Sequence, residues 1–397
     1  MATQQRDAAI VGIYEYPLRK APGLSPLEIK AESAAKALAD AGLTWKDVDA
    51  IYDAGDGGAT SGLTIAEYFN LKPTVIDTTQ VGGSSYEFQA AHAKRDIAAG
   101  KARVALLTYG STAHSQSIAI GTGGMSGGAA PSPVENMEIP WGMTLVANYG
   151  MVANRHMHDY STTSAQLAEI ATATRAHAVR NPDAVRAMND LGFVGTGEIS
   201  IEDVVESRMI ADPLHLLDCC MISDGGGAVV IASADAARSA KKPPVWIIGT
   251  GEATKYTENG GDITTSAAAQ SAPIAFGEAD VKPAEIDIAM IYDSFTITVL
   301  TILEDLGFCR KGDGGAFVQG GRLRFDNPSR PTLNTDGGGL SSNHPGMRGI
   351  FLLIEATRQL RGESTAQVSN ARLAVSHGNG GYLGSRHSGG TVILARD

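Results

Sequence analysis

Two segments of this 397-residue chain match each other at a constant offset of 238 residues. Residues 33–49 read SAAKALADAGLTWKDVD, and residues 271–287 read SAPIAFGEADVKPAEID. The identical pairs are Ser33/Ser271, Ala34/Ala272, Ala37/Ala275, Ala41/Ala279 and Asp49/Asp287. Each copy has the pattern of an amphipathic helix, a turn and a strand that ends in Tyr-Asp, at 52–53 and 292–293. An internal repeat of this kind predicts a fold made of two similar halves.

A Gly/Ser-rich turn and a second helix follow each copy. The first is VGGSSYEFQAAHAKRDIAAG (81–100), and its counterpart spans 338–362, so both end at a glycine suited to the position after a helix. We expect Ser84 or Ser85 to cap the helix over 86–99. The strands that follow, such as VALLTY (104–109), are almost continuously apolar, which is typical of sheets covered on both faces. The pattern therefore predicts an α/β fold.

The region between the repeats differs from them in composition and pattern. Residues 111–145 contain GTGGMSGGAAPSP and few apolar anchors, which predicts a long loop, whereas 146–180 has a helical pattern with an N-cap at Thr163 or Ser164. We expect residues 1–110 to form the first half, completed by about 220–240. Residues 111–219 then form a loop or insertion domain that covers the site, and residues 241–397 form the second half.

Composition excludes several classes of protein. Lys and Arg number 32 against 43 Asp and Glu, a net charge of −11, which disfavours general affinity for nucleic acid. Three cysteines, two of them adjacent at 219–220, make neither a disulfide framework nor a zinc site. His156 and His158 have H-x-H spacing but would point to different sides of a helix, so we expect exposed or capping histidines and no metal. No signal peptide and no membrane span are recognisable, and we expect a cytoplasmic protein.

An ordered set of motifs carries a family resemblance. YDSFT (292–296) leads to LEDLGFC (303–309), and SSNHPG (341–346) precedes QLRG (359–362). Over nearly its whole length the chain resembles the thiolase superfamily, in its sterol-carrier-protein-type, lipid-transfer-protein branch. The resemblance implies a five-layered αβαβα fold of two duplicated halves plus a loop domain, a homodimer, and acyl-CoA substrates of lipid metabolism such as steroid degradation. It implies no bound cofactor, because coenzyme A enters as part of the substrate thioester.

The chain departs from the thiolase pattern at both reactive thiols. The position of the nucleophilic cysteine falls on Gly83, and that of the acid/base cysteine falls on Ser294. We expect Cys219, Cys220 and Cys309 to serve as small buried side chains. Thiolysis needs a nucleophile that captures the acyl group, so the ordinary thiolase cycle cannot run.

The chemistry that remains is stabilisation of an enolate on a thioester oxygen. The resemblance assigns this role to His344 and Tyr292. The other candidates for proton transfer are Ser294, His377, Tyr382 and Asp293, and Asp293 could equally be structural. The 377–382 loop is expected to line the substrate pocket, together with Gly83, Ser84, Ser85, Asn343, Gly380 and Gly381. An enolate is the leaving group of a retro-aldol reaction, which needs no covalent intermediate.

These residues favour a CoA-dependent carbon–carbon lyase that cleaves a β-hydroxyacyl-CoA. Two alternatives stay open: a thiolase or acyltransferase that uses Ser84 or another group, and a non-catalytic acyl-CoA or lipid-binding subunit. The resemblance also implies a small OB-fold/zinc-ribbon (DUF35-type) partner in a heterotetramer. The glycine-rich stretch at 121–130 would suit a bulky ligand such as a steroid side chain or an aryl group.

Overall fold

A computed structural model describes residues 6–55, 60–118, 139–142, 144–256 and 261–397. Its strands are β1 (Ala8–Glu15), β2 (Ala50–Asp53), β3 (Val75–Asp77), β4 (Val104–Ser111), β5 (Met209–Ala211), β6 (Leu214–His215), β7 (Gly225–Ser233), β8 (Val245–Tyr256), β9 (Ile288–Ile291), β10 (Thr332–Leu333), β11 (Leu373–Tyr382) and β12 (Arg386–Ala395). Its α-helices over these ranges are α1 (Pro26–Ala41), α2 (Ser61–Tyr68), α3 (Ser85–Ala98), α4 (Leu145–Tyr160), α5 (Ser164–Ala178), α6 (Pro182–Asp190), α7 (Ile201–Val205), α8 (Ala234–Arg238), α9 (Ala268–Ala279), α10 (Thr296–Asp305), α11 (Gly314–Val318), α12 (Gly338–Ser341) and α13 (Gly349–Arg361).

Ten strands pair in the order β10-β9-β11-β12-β8-β1-β7-β4-β2-β3. A short antiparallel contact between β1 and β8, in which Ala9 lies opposite Trp246, joins two groups of five. The order β1-β7-β4-β2-β3 in one group recurs as β8-β12-β11-β9-β10 in the other, with the same parallel and antiparallel pairings. The predicted duplication is confirmed at the level of sheet topology.

Helices lie outside and between the two groups of strands. Helix α1 packs on β1, β4 and β7, and α9 packs on β8 and β12. Helices α3 and α13 contact each other and strands of both groups. Between the sheets lies a buried apolar core that includes Ala90 of α3, Leu353 of α13, Ile10 and Val392. The layers therefore alternate helix, sheet, helix, sheet, helix, which is the five-layered α/β architecture predicted.

The repeated alanines lie where the outer helices approach the strands most closely. A Cβ atom on Gly12 of β1 would lie 2.1 Å from the carbonyl oxygen of Ala37, and one on Gly249 of β8 would lie 2.2 Å from that of Ala275. Glycine in the strand and alanine in the helix are therefore required in both halves, because any larger pair would separate helix from sheet. This contact explains why the small residues recur at the offset of 238.

The ends of the central helices match the prediction only in part. Gly100 after α3 and Gly362 after α13 have φ values of 70° and 78°, as expected of glycines that end a helix. The prediction that Ser84 or Ser85 caps α3 is wrong. The Ser84 hydroxyl lies 2.6 Å from that of Ser388 on β12, and the Ser85 hydroxyl accepts from the Val81 amide at 2.9 Å. Both hydroxyls stabilise the turn and its contact with the sheet rather than the first helical amides.

The region that follows β4 supplies helices α4 to α7. Thr163 caps α5 as predicted. His156 of α4 is fully buried between Thr162 and Glu304, so the expectation of an exposed or capping histidine is wrong for this residue. His158 is exposed, as expected. The glycine-rich stretch at 121–130 lies outside the described residues. Strand β7 follows this region and pairs between β1 and β4. Across the described part of the chain, the structure contains no helix long and apolar enough to cross a membrane.

Candidate active site

A polar cavity of about 310 Å³ lies where five segments meet. They are the turn before α3, the residues after β9, the loop before α13, the end of β11 and the start of α4. The lining residues are Gly82, Gly83, Leu145, Tyr149, Tyr292, Ser294, His344, Gly346, Met347, Asn379, Gly380, Gly381 and Tyr382. The structure thus brings together seven of the residues predicted from the sequence: Gly83, Tyr292, Ser294, His344, Gly380, Gly381 and Tyr382.

Glycines bring two main-chain segments into direct contact at this cavity. Gly82 has a φ of 78°, and a Cβ atom there would lie 2.9 Å from Cα of Gly380. A Cβ atom on Gly380 would lie 2.0 Å from the carbonyl oxygen of Val81. Since side chains on either segment would separate them, these glycines set the position of the turn from which α3 begins.

Gly83 is required by the ring of Tyr292. A Cβ atom on Gly83 would lie 2.2 Å from Cε2 and 2.4 Å from Cζ of Tyr292. The Tyr292 hydroxyl donates to the carbonyl oxygen of Gly346 at 3.1 Å. Burial raises the pKa of Tyr292 well above its ordinary value, so the group is a neutral phenol and a hydrogen-bond donor. The aromatic ring occupies the space that any side chain at position 83 would need.

His344 faces Tyr292 with its hydrogen-bonding capacity unused. The two rings meet edge to face with centroids 5.4 Å apart. Both ring nitrogens of His344 are buried and have no hydrogen-bond partner among the described residues. Burial and then the charge of Arg348 lower the pKa of His344 to about 4, so the imidazole is neutral and carries one N–H. A buried polar group without a partner requires an explanation, and an acceptor or donor atom of a bound ligand would supply one.

Tyr149 and Asn379 complete the cavity wall, and of the two only Tyr149 was missed by sequence reasoning. The Tyr149 hydroxyl donates to the carbonyl oxygen of Gly381 at 3.1 Å and accepts from Nδ2 of Asn379 at 2.8 Å. Burial raises the pKa of Tyr149 to about 12. Asn379 lies within the 377–382 loop that the resemblance marks. Tyr149 lies on α4 with no motif around it, so no sequence signal pointed to it.

Asn343 and Asp293 hold the site from behind rather than lining it. The Arg348 guanidinium donates to Oδ1 of Asn343 at 2.6 Å, to Asp293 at 3.1 Å and to Asp336 at 2.5 Å. Asp293 also accepts from the Gly339 amide at 2.8 Å, and burial raises its pKa to about 6. These bonds fix the loop that carries His344. Asp293 and Asn343 therefore contact Arg348 behind the cavity and are not among its lining residues.

His377, Ser84 and Ser85 also lie outside the cavity lining. His377 is fully buried within β11, where its Nδ1 pairs with the Thr391 hydroxyl at 2.8 Å. Burial lowers the pKa of His377 to about 3. Successive residues of a strand point to opposite faces of the sheet, and the His377 side chain points to a face that is buried inside the protein. His377 is therefore not among the cavity-lining residues, and its buried Nε2 has no hydrogen-bond partner among the described residues.

A second chamber of about 230 Å³ adjoins the first and shares Leu145, Ser294 and His344 with it. Its other lining residues are Val146, Arg208, Ile210, Leu216, Cys219, Cys220, Ile222 and Phe295. We call the first the polar cavity and the second the apolar chamber. Ser294 and His344 stand at their junction.

Comparison with known proteins places the chain in a family. A family model described as "Thiolase C-terminal domain-like" matches residues 249–396. An acetyl-CoA acetyltransferase of Methanothermobacter thermautotrophicus is 32% identical, over 96% of this chain and 98% of its own length. The chain belongs to the thiolase superfamily. Within the superfamily it lies in the sterol-carrier-protein-type branch.

Two further similar proteins are described as a lyase and an aldolase. A 17-hydroxy-3-oxo-4-pregnene-20-carboxyl-CoA lyase of Mycobacterium tuberculosis is 33% identical, over 94% of this chain and 97% of its own length. The solved structure of an Ltp2-ChsH2(DUF35) aldolase superposes with a TM-score of 0.86 and 29% identity, covering 100% of this chain and 99% of the other. The chain is 32% identical to the acetyltransferase and 33% identical to the lyase, so sequence identity does not decide between the two activities. The chemistry of the site has to decide between them.

This thiolase relative lacks a reactive thiol at either expected position. Gly83 and Ser294 line the polar cavity, and no cysteine does so among the described residues. Cys219 and Cys220 line the apolar chamber instead. Burial raises the pKa of Cys219 to about 12 and that of Cys220 well above the ordinary value. Both remain protonated thiols and are poor nucleophiles.

Proposed function

We propose that this protein cleaves a β-hydroxyacyl-CoA by a retro-aldol reaction. One observation carries the proposal. At the position where thiolases have the nucleophilic cysteine this chain has Gly83, and the phenol ring of Tyr292 fills the space that a side chain there would need. Beside it, His344 has two unpaired ring nitrogens and a neutral ring. Among the described residues that line it, the polar cavity has donors for a thioester oxygen and no cysteine for covalent capture.

The proposed step balances without an oxidant, a reductant or water. The β-hydroxyl loses its proton and the Cα–Cβ bond breaks. Its electron pair passes to the thioester as an enolate, and a ketone or aldehyde leaves. The enolate then takes a proton at Cα, which gives the shortened acyl-CoA. Hydrogen bonds that strengthen as charge develops on the thioester oxygen accelerate this step.

The residues divide these tasks by their protonation states. His344 donates its single N–H to the thioester oxygen. Tyr292 relays the proton, taking one from the β-hydroxyl as it gives its own to the enolate carbon. A phenol whose pKa is raised well above its ordinary value suits a relay, because it need not persist as a phenolate. Ser294, between the two cavities, contacts the substrate beside His344.

The named relatives also support two proposals about assembly. We propose a small DUF35-type partner, because the solved aldolase of TM-score 0.86 is described with one. We also propose that two copies of this chain form a homodimer. Two chains and two DUF35-type partners then make a heterotetramer. Co-purification with a DUF35-type protein encoded next to this one, followed by measurement of the mass of the complex, tests both proposals.

Mass spectrometry of two reactions tests the function, with the protein alone and with a co-expressed DUF35 protein. One contains a β-hydroxyacyl-CoA without free CoA, and the other contains a β-ketoacyl-CoA with free CoA. We expect cleavage only in the first, giving a shortened acyl-CoA and a ketone or aldehyde. Cleavage only in the second would establish acyl transfer, and binding without turnover in either would establish a non-catalytic subunit.

Variants of the two donors connect the reaction to the site. His344→Ala should lower kcat by a factor of about 10² to 10³, the effect of removing one oxyanion donor. Tyr292→Phe should lower kcat by a factor of about 10² to 10⁴, the effect of removing a positioned acid/base group. His344→Gln, which restores an N–H, should recover part of the rate. Tyr68→Phe is the matched control, because the Tyr68 side chain is 50% exposed. Full activity in both donor variants would overturn the assignment.

A further inference from the structure

Tyr109 of β4 contacts the loop before α13 through its side-chain hydroxyl. The hydroxyl donates to the carbonyl oxygen of Pro345 at 2.7 Å and accepts from the Met347 amide at 3.0 Å. The residue between these two is Gly346, whose carbonyl oxygen accepts from the Tyr292 hydroxyl at 3.1 Å. A tyrosine of the first half therefore holds the main chain on both sides of the residue to which the proton-relay phenol is bonded.

Packing fixes the position of the Tyr109 hydroxyl. The side chain is buried, and its ring meets the rings of Tyr86 on α3 and Phe351 on α13 edge to face, with centroids 5.6 Å and 6.2 Å apart. Gly346, in contrast, has a φ of 114°, in a region that glycine enters readily and other residues rarely adopt. Because glycine restricts the backbone least, contacts from outside the loop have to fix this turn, and Tyr109 supplies two of them.

The proposed reaction needs Tyr292 in one orientation, since the phenol takes one proton as it gives another. The Gly346 carbonyl oxygen accepts the Tyr292 hydroxyl proton in the free protein and so sets the direction of the O–H bond. A displacement of about 1 Å at such a group can cost a factor of about 10² in rate. Tyr109 also lies close enough to act on Tyr292 by charge: burial, and after it the neighbouring Cys220 and Tyr109, raise the pKa of the Tyr292 phenol.

We propose that Tyr109 is a positioning residue of the lyase and that it acts on Tyr292 through the main chain at Gly346. Tyr109 is not among the described residues that line the polar cavity or the apolar chamber, so its part in the reaction is indirect. This inference rests on the proposed function for the task of Tyr292. It adds a residue of the first half that sets the geometry of the catalytic groups of the second half.

Removal of the hydroxyl alone tests the inference. Tyr109→Phe keeps the ring and its contacts with Tyr86 and Phe351, and it takes this partner away from the Pro345 carbonyl and the Met347 amide. We expect kcat for cleavage of a β-hydroxyacyl-CoA to fall about tenfold, the rate equivalent of one hydrogen bond. KM should stay unchanged, because the residues that line the cavity are intact.

Tyr86→Phe is the matched control. The Tyr86 hydroxyl donates to the carbonyl oxygen of Thr108 at 3.2 Å, so this variant removes a buried phenol hydroxyl of the same aromatic cluster that is bonded to strand β4. Its kcat should equal that of the wild type. An equal loss of kcat in both variants, or full activity in Tyr109→Phe, would overturn the proposal.

A double-mutant cycle shows whether Tyr109 acts through Tyr292. The Tyr292→Phe protein has no phenol proton to position, so adding Tyr109→Phe should leave its remaining kcat unchanged within about twofold. A simple loss of stability, in contrast, would lower the activity by the same factor in both backgrounds. Losses that multiply in the double variant would therefore refute the action through Tyr292.

Hydrogen exchange gives a readout that does not need turnover. The Met347 amide donates to the Tyr109 hydroxyl, so its exchange, followed by mass spectrometry of a peptide spanning 343–351, should be about tenfold faster in Tyr109→Phe and unchanged in Tyr86→Phe. Unchanged exchange in Tyr109→Phe would overturn the hold on the loop. Faster exchange in a protein whose wild type cleaves no β-hydroxyacyl-CoA would support that hold and refute the proposed function instead.

Discussion

The contact between Gly83 and Tyr292 makes the two residues a single unit. Because a Cβ atom on Gly83 would lie 2.2 Å from the ring, Gly83→Ala should displace Tyr292 and lower the lyase kcat at least as far as Tyr292→Phe does. Overpacking of this kind also costs about 1–3 kcal/mol of stability. Gly197→Ala is the control, because a Cβ atom there would meet nothing within 4 Å. Steady-state kinetics and urea unfolding measure both effects, and a fully active Gly83→Ala protein would show that Tyr292 can move without loss.

Sequence reasoning identified the residues of the site better than their roles. The motif order placed Gly83, Tyr292, Ser294 and His344 correctly at one cavity. It could not show that Asp293 and Asn343 face Arg348 instead, because a motif does not reveal which side of a loop each residue faces. Nor could it reveal Tyr149, which reaches Asn379 across a sequence separation of 230 residues.

A buried carboxyl one helical turn after Gly83 predicts how stability depends on pH. Glu87 accepts from Ser376 at 3.0 Å, and its Oε2 has no partner among the described residues. Burial raises its pKa to about 8. Between about pH 4.3, the ordinary pKa of Glu, and pH 8 the unfolded chain loses this proton while the folded chain keeps it. Glu87 therefore reduces stability progressively as the pH rises through that window.

Replacing the carboxyl by an amide should abolish that part of the pH dependence. Relative to wild type, Glu87→Gln should gain about 1.4 kcal/mol of unfolding free energy for each pH unit across the window, an upper value for a group that can relax. Urea unfolding at pH 5, 6.5 and 8 measures it, with the exposed Glu67→Gln as control. Parallel stability curves for wild type and Glu87→Gln would mean that Glu87 is already ionised in the folded protein.

At the scale of elements, the same close packing of helix on strand occurs in both halves. Gly249→Ala on β8 should cost about 3 kcal/mol, because the new Cβ would lie 2.2 Å from the Ala275 carbonyl oxygen and α9 would have to move. Gly277→Ala on α9 itself is the control, since a Cβ atom there meets nothing within 4 Å. Exposed glycine in a helix costs about 1 kcal/mol relative to alanine, so this control should gain stability. Thermal unfolding distinguishes the two, and equal effects would refute the packing argument.

The internal repeat made the helices and strands predictable from the sequence. Contacts between residues far apart in the sequence could not be predicted. Helix, turn and strand recur at an offset of 238 residues, so each half could be inferred from the other. The expected capping of α3 failed because Ser84 pairs with Ser388, a partner 304 residues away. Local patterns report local preferences, whereas such contacts arise only once β12 lies against α3.

At the scale of the whole molecule, a buried ionic network joins the two halves and reaches the active site. Glu15 of β1 accepts from Arg358 of α13 at 2.6 Å and from Asn343, next to His344, at 2.7 Å, and it also pairs with Arg19. The charge of Arg19 is the largest of the influences that hold the pKa of Glu15 below its ordinary value against burial. Removing one member of such a network leaves the others buried and uncompensated.

Glu15→Gln should therefore lower both stability and activity. We expect the free energy of unfolding to fall by about 3 kcal/mol, which is typical of breaking a buried ion pair. We also expect a lower kcat, because the hydrogen bond from Asn343 to the charged Glu15 helps to hold the loop that carries His344. Asp235→Asn is the control: the side chains of its pair with Arg238 are 93% and 65% exposed, so less than about 1 kcal/mol should be lost. Unfolding should remain a single transition, because α3 and α13 bury the core that both halves share. Two separate transitions, or a Glu15→Gln protein as stable and active as the control, would show that the halves fold and position His344 independently of this network.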